Sequence, residues 1–478
     1  MTLPADIIAF CKKYAGAIPD GNVAIFAGAG LSAAAGFVNW AQLLAPFAGE
    51  LGLNILREQD HLVRFAQYSQ NHKGGNRAHL NDALITAFPT EVSPTANHKI
   101  LARLPIRTYW TTNYDRLIET ALTDAKKIVD VKHLDSQLPN TKPRRDAVLY
   151  KMHGDVDHPQ EAVLTRDDYE RYSHKRPGFL NALVGDLTGK TFLFLGFSFT
   201  DPNLEHVLSQ LRLRFQSGQR EHYCILRRPK ESDYKEYEDF VYACARHRHF
   251  VRDLALYNVT ALEIDEYSQV TEVLLTIERF YRRRSIVVSG SISDFSPWGE
   301  REVNSFFREL GSILVDRDFR IVSGFGLGIG NSLISGAIER AYSKGHVRLD
   351  HFLDVRPFPR DISDPALRAK VWESYREEFL SLAGIALFFF GNKVVEKQVV
   401  LADGVRKEFE IARRQGAATI PIGATGYMAK ELADEMMRTP DKAAANLIAA
   451  IGKLQSSVES LDQLLQPIIE AVIAIASE

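Results

Sequence analysis

The sequence predicts an α/β protein built as two Rossmann-like parallel-sheet domains in tandem, on three observations. Apolar runs ending in glycine or polar turns recur along the chain, each followed by a helical pattern of apolar residues. These runs fall into two series that part near residue 283. The chain of 478 residues is also longer than one ordinary hydrophobic core accommodates. Short unbroken apolar runs suit strands buried on both faces, and helical connections between them make the sheet parallel. In doubly wound sheets of this kind, ligands bind at the carboxyl ends of the strands.

Taken in order, the opening segment MTLPADIIAFCKKYAG has neither the basic head nor the continuous apolar stretch of a signal peptide, and reads as a short amphipathic helix. The first series of strands is NVAIFAGAG (22–30), TYWTTN (108–113), AVLYKMHG (147–154) and TFLFLGFS (191–198). The arginine-rich stretch 212–228 reads as a solvated helix face followed by a loop. A helical stretch then ends in Arg282, Arg283 and Arg284, which places the domains at 1–283 and 284–478. The second series is SIVVSGS (285–291), FRIVSGFGLGIG (319–330), ALFFFGNK (386–393) and ATIPIGATG (418–426). The tail from about 440 repeats apolar residues at helical spacing, Leu447, Ile448, Ile451 and Leu454, then Leu461, Leu464 and Leu465; packing against the second domain is its expected role.

Bulk properties exclude several classes. A formal net charge of -2 offers no electrostatic pull toward nucleic acid or an anionic membrane, and no apolar run reaches the length of a membrane span. Cys11, Cys224 and Cys244 stand far apart with no CxxC pair, which argues against a cysteine zinc module and a disulfide framework and for a cytoplasmic protein. Cys224, Cys244, His247 and His249 fit no usual zinc spacing, so no metal is expected.

Four strand ends of the first domain carry chemistry. Gly28-Ala29-Gly30-Leu31-Ser32 lies between a strand and a helix, where glycines let backbone N–H groups approach a diphosphate; glycine there also serves a plain tight turn. Asn113 in TTNYD projects from a strand end, while Asp115 is either a polar partner in the crevice or a helix cap. His153 in MHGD ends the next strand, a position where a lone histidine, one of the chain's 14, is more often structural than catalytic. LGFSFTDPN (195–203) closes the set.

GAGLS, TTNYD, HGD and LGFSFTDPN, in that order, resemble the sirtuin family over about the first 280 residues. The resemblance implies an NAD site in which Ala29, Gly30 and Ser32 form the phosphate and ribose loop. Asn113 and Asp115 then match the polar pair near the nicotinamide ribose, His153 the general base, and Gly196 and Ser198 the later cofactor loop. Sirtuin deacylases carry a four-cysteine zinc module that this chain lacks, so water becomes the natural acceptor and NAD hydrolysis the expected reaction. Nicotinamide departs neutral from a cationic ring through an oxocarbenium-like state, so the site needs charge stabilisation and a base more than a strong acid.

In the second domain, Gly324, Gly326, Gly328 and Gly330 alternate after a strand and before a helix, forming a phosphate cradle more readily than a simple turn. With Ser289-Gly290-Ser291 they resemble the SLOG family of nucleotide-binding folds; Gly326 and Leu327 belong to that loop. The related phosphoribohydrolases carry PGGxGTxxE, and here GVRKE (404–408) keeps only the glutamate, Glu408, which points to a ligand sensor. Arg376 and Lys393 would pair with phosphate and Glu408 would accept from ribose hydroxyls or an adenine edge, although Arg376 taken singly reads as part of a charged helix face.

The tandem as a whole resembles the two-domain effector family of bacterial Thoeris antiphage systems. That resemblance implies a homotetramer joined through the sirtuin-like halves. It implies activity held off until a TIR-domain partner enzyme makes a cyclic ADP-ribose isomer that binds the SLOG half. A protein deacylase and a catalytically silent sensor are the competing expectations.

Overall fold

The computed structural model describes residues 3–55, 63–215, 218–345, 348–359, 362–438 and 445–478. The chain forms two compact units, Met1–Glu278 and Arg279–Glu478, dividing inside the helix Ser268–Arg282, a few residues before the basic cluster.

The first unit holds seven strands: β1 (Val23–Ala27), β2 (Thr108–Thr111), β3 (Val129–Lys132), β4 (Ala147–Lys151), β5 (Thr191–Leu195), β6 (His222–Arg227) and β7 (Val259–Ile264). They form one parallel sheet in the order β3-β4-β2-β1-β5-β6-β7. The chain fills one side of β1 with β2, β3 and β4, then returns to its other flank with β5. That reversal makes the ends of β1 and its two neighbours the natural crevice. Every residue of β1 is buried, and Phe26 packs against Phe192, Phe194 and Phe197. The opening segment is helical over Ala5–Ala17.

The stretch 212–228 departs from the sequence reading. The helix Pro202–Phe215 covers its start, but its end is β6, with Cys224 buried inside the sheet. The arginines misdirect because Arg227 and Arg228 lie at and just beyond the strand's end, where they reach Asp233 and Asp265, so their charges stay at the surface. Strand β3 was likewise hidden: its polar residues Asp130 and Lys132 are buried as an ion pair 2.8 Å apart.

The second unit holds β8 (Ser285–Ser291), β9 (Arg320–Ser323), β10 (Leu353–Val355), β11 (Ile385–Phe390), β12 (Asn392–Val395), β13 (Gln398–Leu401) and β14 (Ala418–Pro421). Five of them make a parallel sheet, β10-β9-β8-β11-β14, while β12 and β13 form a separate antiparallel hairpin. All six residues of β11, IALFFF, are buried. The helix Glu300–Asp316 buries Val303, Phe306, Phe307, Leu310 and Leu314, a helical spacing that lays one apolar stripe on the sheet. It crosses the helix Gly330–Ser343 so closely that a Cβ on Gly336 would overlap the Arg308 carbonyl. The tail packs as expected: Ile451, Leu454, Leu461 and Leu464 lie in the core of this unit.

Candidate functional site

In the first unit, the loops that follow β1, β2, β4 and β5 converge on a cavity of about 1000 Å³, at the upper end of the range typical of small-ligand sites. Ala29, Gly30, Ser32, Asn113, Asp115, His153, Gly196 and Ser198, all read from the sequence, line it. Aromatic side chains, among them Trp40, Tyr114, Phe197 and Phe250, supply much of the remaining wall.

The glycines of the β1 and β5 loops bring those two loops into contact. Gly28 N–H donates to the Leu195 carbonyl and Gly30 N–H to the Gly196 carbonyl, both at 2.9 Å. Those two donors are therefore spent on the neighbouring loop. Gly196 has φ +61, and a Cβ there would collide with the backbone of Gly30 and Leu31. Only residues without side chains let the two loops meet, and their meeting forms one edge of the cavity.

Behind that edge runs a polar chain whose direction is determined. Ser32 Oγ donates to Asp115 Oδ2 at 2.8 Å, so it accepts from Asn113 Nδ2 at 3.0 Å. The second N–H of that amide goes to the Gly28 carbonyl, also at 3.0 Å. Both amide donors are thereby used, and Asn113 presents its Oδ1 as an acceptor. An acceptor at this place can orient a water molecule or a ribose hydroxyl, and it faces positive charge favourably. Asp115 also reaches the helix that follows: its Oδ1 accepts from Leu117 N–H at 2.9 Å, beside Arg116, which stands at the N-cap of the helix Leu117–Asp124.

His153 follows β4, buried, with its ring set among Tyr114, Tyr169 and Tyr172. Its Nδ1 lies 3.4 Å from the Tyr169 hydroxyl. Its Nε2 lies 2.9 Å from Asp201 Oδ2, an ion-pair separation without the alignment of a hydrogen bond. Burial disfavours the Asp201 carboxylate, but the imidazole and the N–H groups of Leu204 and Asn203 outweigh that and hold its carboxyl below the usual range.

Two participants escaped the sequence reading. Asp201 could have been noticed as the Asp-Pro that opens a helix. Lys151, fully buried just before His153, donates to the carbonyls of Tyr114 and Asp115 and pairs with Glu119 and Asp155 at 2.9 and 2.7 Å. It ties the β2 turn to the β4 turn. Burial alone would lower its pKa, yet the two carboxylates raise it above the ordinary lysine value.

In the second unit the predicted residues are only partly assembled. Glu408 Oε2 accepts from Ser289 Oγ at 2.7 Å, and its Oε1 lies 3.4 Å from Arg376 Nε. Arg376 is not on a solvated face: it is largely buried and lies over the rings of Phe358 and Trp372. Burial raises the Glu408 pKa, and Ser289 and Arg376 offset only part of that. Gly290 and Gly326 sit back to back, with the Leu327 carbonyl accepting from Ile292 N–H at 2.9 Å. Lys393 stands on the hairpin and pairs with Asp403 rather than with this group.

No group of three or more His, Cys, Asp or Glu side chains placed to hold a metal occurs among the described residues. Residues 107–244 match the model of the SIR2-like domain, and residues 269–477 match that of the Sir2- and TIR-associating SLOG family. The protein named NAD(+) hydrolase ThsA of Bacillus cereus (strain MSX-D12) is 43% identical, over 97% of this chain and 97% of its own length. A second protein of that name, from Acinetobacter baumannii (strain 532279), is 44% identical over 95% of this chain and 96% of its own. Defense-associated sirtuin 2 of Bacillus subtilis is 27% identical over 44% of this chain. With a SIR2-like unit bearing the polar chain and His153, a SLOG unit after it, and full-length relatives at this identity, the chain belongs to the ThsA family.

Proposed function

We propose that this chain hydrolyses NAD to nicotinamide and ADP-ribose in antiphage defence, and that a cyclic ADP-ribose isomer bound at the Ser289–Arg376–Glu408 group switches it on. The observation that carries the catalytic reading is the convergence of Asn113, Ser32, Asp115 and His153 on one large cavity. NAD lies with its nicotinamide ribose toward these groups. The glycosidic electron pair leaves with nicotinamide, a water oxygen bonds to the anomeric carbon, and His153 takes the water's proton and passes it to solvent. Asn113 Oδ1 orients that water or steadies the developing positive charge.

The regulatory reading rests on Arg376 and Glu408, a buried charged pair that a nucleotide can reorganise. Such a signal acts only through tighter binding to the active arrangement than to the resting one. A TIR-domain partner enzyme is the source we assign to it. Self-association into a tetramer fits the helix Tyr237–Leu256, which buries only Leu254 and leaves Tyr237, Val241 and Tyr242 exposed. No helix among the described residues is long and apolar enough to cross a membrane; we place the protein in the cytoplasm, on the wide sequence separation of Cys11, Cys224 and Cys244.

Nicotinamide release from NAD, followed with and without cyclic ADP-ribose isomers, tests the whole reading. His153→Ala abolishes turnover while leaving binding of the isomer intact, and Arg376→Ala does the reverse. Absence of nicotinamide under every isomer removes the hydrolase reading; undiminished activation of Arg376→Ala removes the switch assignment.

A further inference from the structure

Asp201 does two things that call for different chemistry. Its Oδ1 accepts from the N–H groups of Asn203 at 3.0 Å and Leu204 at 2.9 Å, capping the helix Pro202–Phe215. A cap requires one side-chain oxygen and no charge, and asparagine or serine serves as well as aspartate. Its Oδ2 lies 2.9 Å from His153 Nε2, with the two side chains 7% and 5% exposed. Burying a carboxylate is costly without a compensating cation or donors. Capping therefore accounts for one oxygen, while the other faces the imidazole, which becomes a cation only when it takes up a proton.

The other titratable groups packed around the His153 ring are the phenols of Tyr114, Tyr169 and Tyr172. Burial raises the pKa of each, so they are neutral at working pH. Among the described residues, Asp201 is the charged side chain within ion-pair reach of the ring.

We propose that Asp201 is the positioning residue of the hydrolytic base: its carboxylate holds the His153 ring and stabilises the imidazolium formed in turnover. This rests on the reading of His153 as the base. The attacking water forms its bond to the anomeric carbon and gives one proton to His153. Nicotinamide leaves neutral with the glycosidic electron pair, and His153 returns the proton to solvent. Asp201 stays ionised throughout, so it enters no bond change and acts by charge alone. The same residue opens the helix that follows the Gly196–Thr200 loop, so the setting of the base and the setting of that loop share one anchor.

The test is nicotinamide release by the full-length protein between pH 5 and 9 under one cyclic ADP-ribose isomer, comparing wild type, Asp201→Asn and His153→Ala. Asp201→Asn keeps the cap and the shape. We expect kcat to fall about 10- to 100-fold with KM within about twofold, the range of a single acid–base contribution. Asp201→Ser, which also caps, carries the same expectation should the asparagine variant melt early. Wild-type kcat in a folded variant overturns the proposal and leaves Asp201 a helix cap. Activity in His153→Ala overturns instead the reading of the base on which the proposal stands.

Discussion

A fully buried lysine ties together the turns that follow β2 and β4. Lys151 sits between two carboxylates and two backbone carbonyls beneath the site, and supplies the cation that both carboxylates face. Lys151→Met leaves Glu119 and Asp155 buried without a cation, and should lower unfolding stability by about 3–5 kcal/mol, the usual cost of breaking a buried pair from one side. Denaturant midpoints measure this, and adding Glu119→Gln and Asp155→Asn should restore part of the loss. A wild-type midpoint for Lys151→Met would show the cluster to be solvated. At this scale the sequence was uneven in what it disclosed. Asn113, Asp115 and His153 stand in motifs with a recognisable order, whereas Lys151 and Asp201 owe their importance to partners far away in sequence. Asp201 meets His153 across 48 residues of chain, since 201 less 153 is 48. Lys393 marks the opposite case, a basic residue in a plausible place whose charge is engaged by Asp403.

Elements were legible where burial is uniform and hidden where it is mixed. β1, β5, β8 and β11 read as unbroken apolar runs because both faces of a central parallel strand are covered. β3 and β6 carry charges that the fold neutralises or sets at strand ends, a solution that leaves no periodic trace. Close crossings escape notice too, since a glycine inside a helix reads as a mild helix breaker. At Gly336 the absent Cβ lets two helices touch. Gly336→Ala forces them apart, and should cost about 1–3 kcal/mol by overpacking even though alanine favours helix. Thermal unfolding of the variant measures it, and a gain in stability would show the crossing to be looser than the structure has it.

For the molecule as a whole, two buried neutral histidines set a limit on the acid side. Burial lowers the His222 pKa to about 4, with Arg220 adding to the effect, and burial likewise depresses His98. A histidine whose folded pKa lies below its unfolded value binds a proton more readily in the unfolded chain, so stability falls as pH drops from about 6.5 toward 4. For His222 the full loss is on the order of 3 kcal/mol. His222→Asn, which still offers an acceptor to Phe192 N–H, should flatten the fall in melting temperature across that window. An unchanged slope would mean that His222 is already charged in the fold. The tandem arrangement was the most legible feature of all, because two series of strands punctuated by glycine need only local pattern to be seen. The boundary was harder to place, since the chain passes between units inside a continuous helix rather than through a polar linker.

The backbone contact between the β1 and β5 loops limits how this pocket can diversify. Positions 28, 30 and 196 touch through main chain alone, so no exchange of side chains there can retune selectivity without parting the loops. The aromatic wall around Trp40, Phe197 and Phe250 is free of that limit: a change of ring there alters the volume of the cavity and leaves the glycine contact intact.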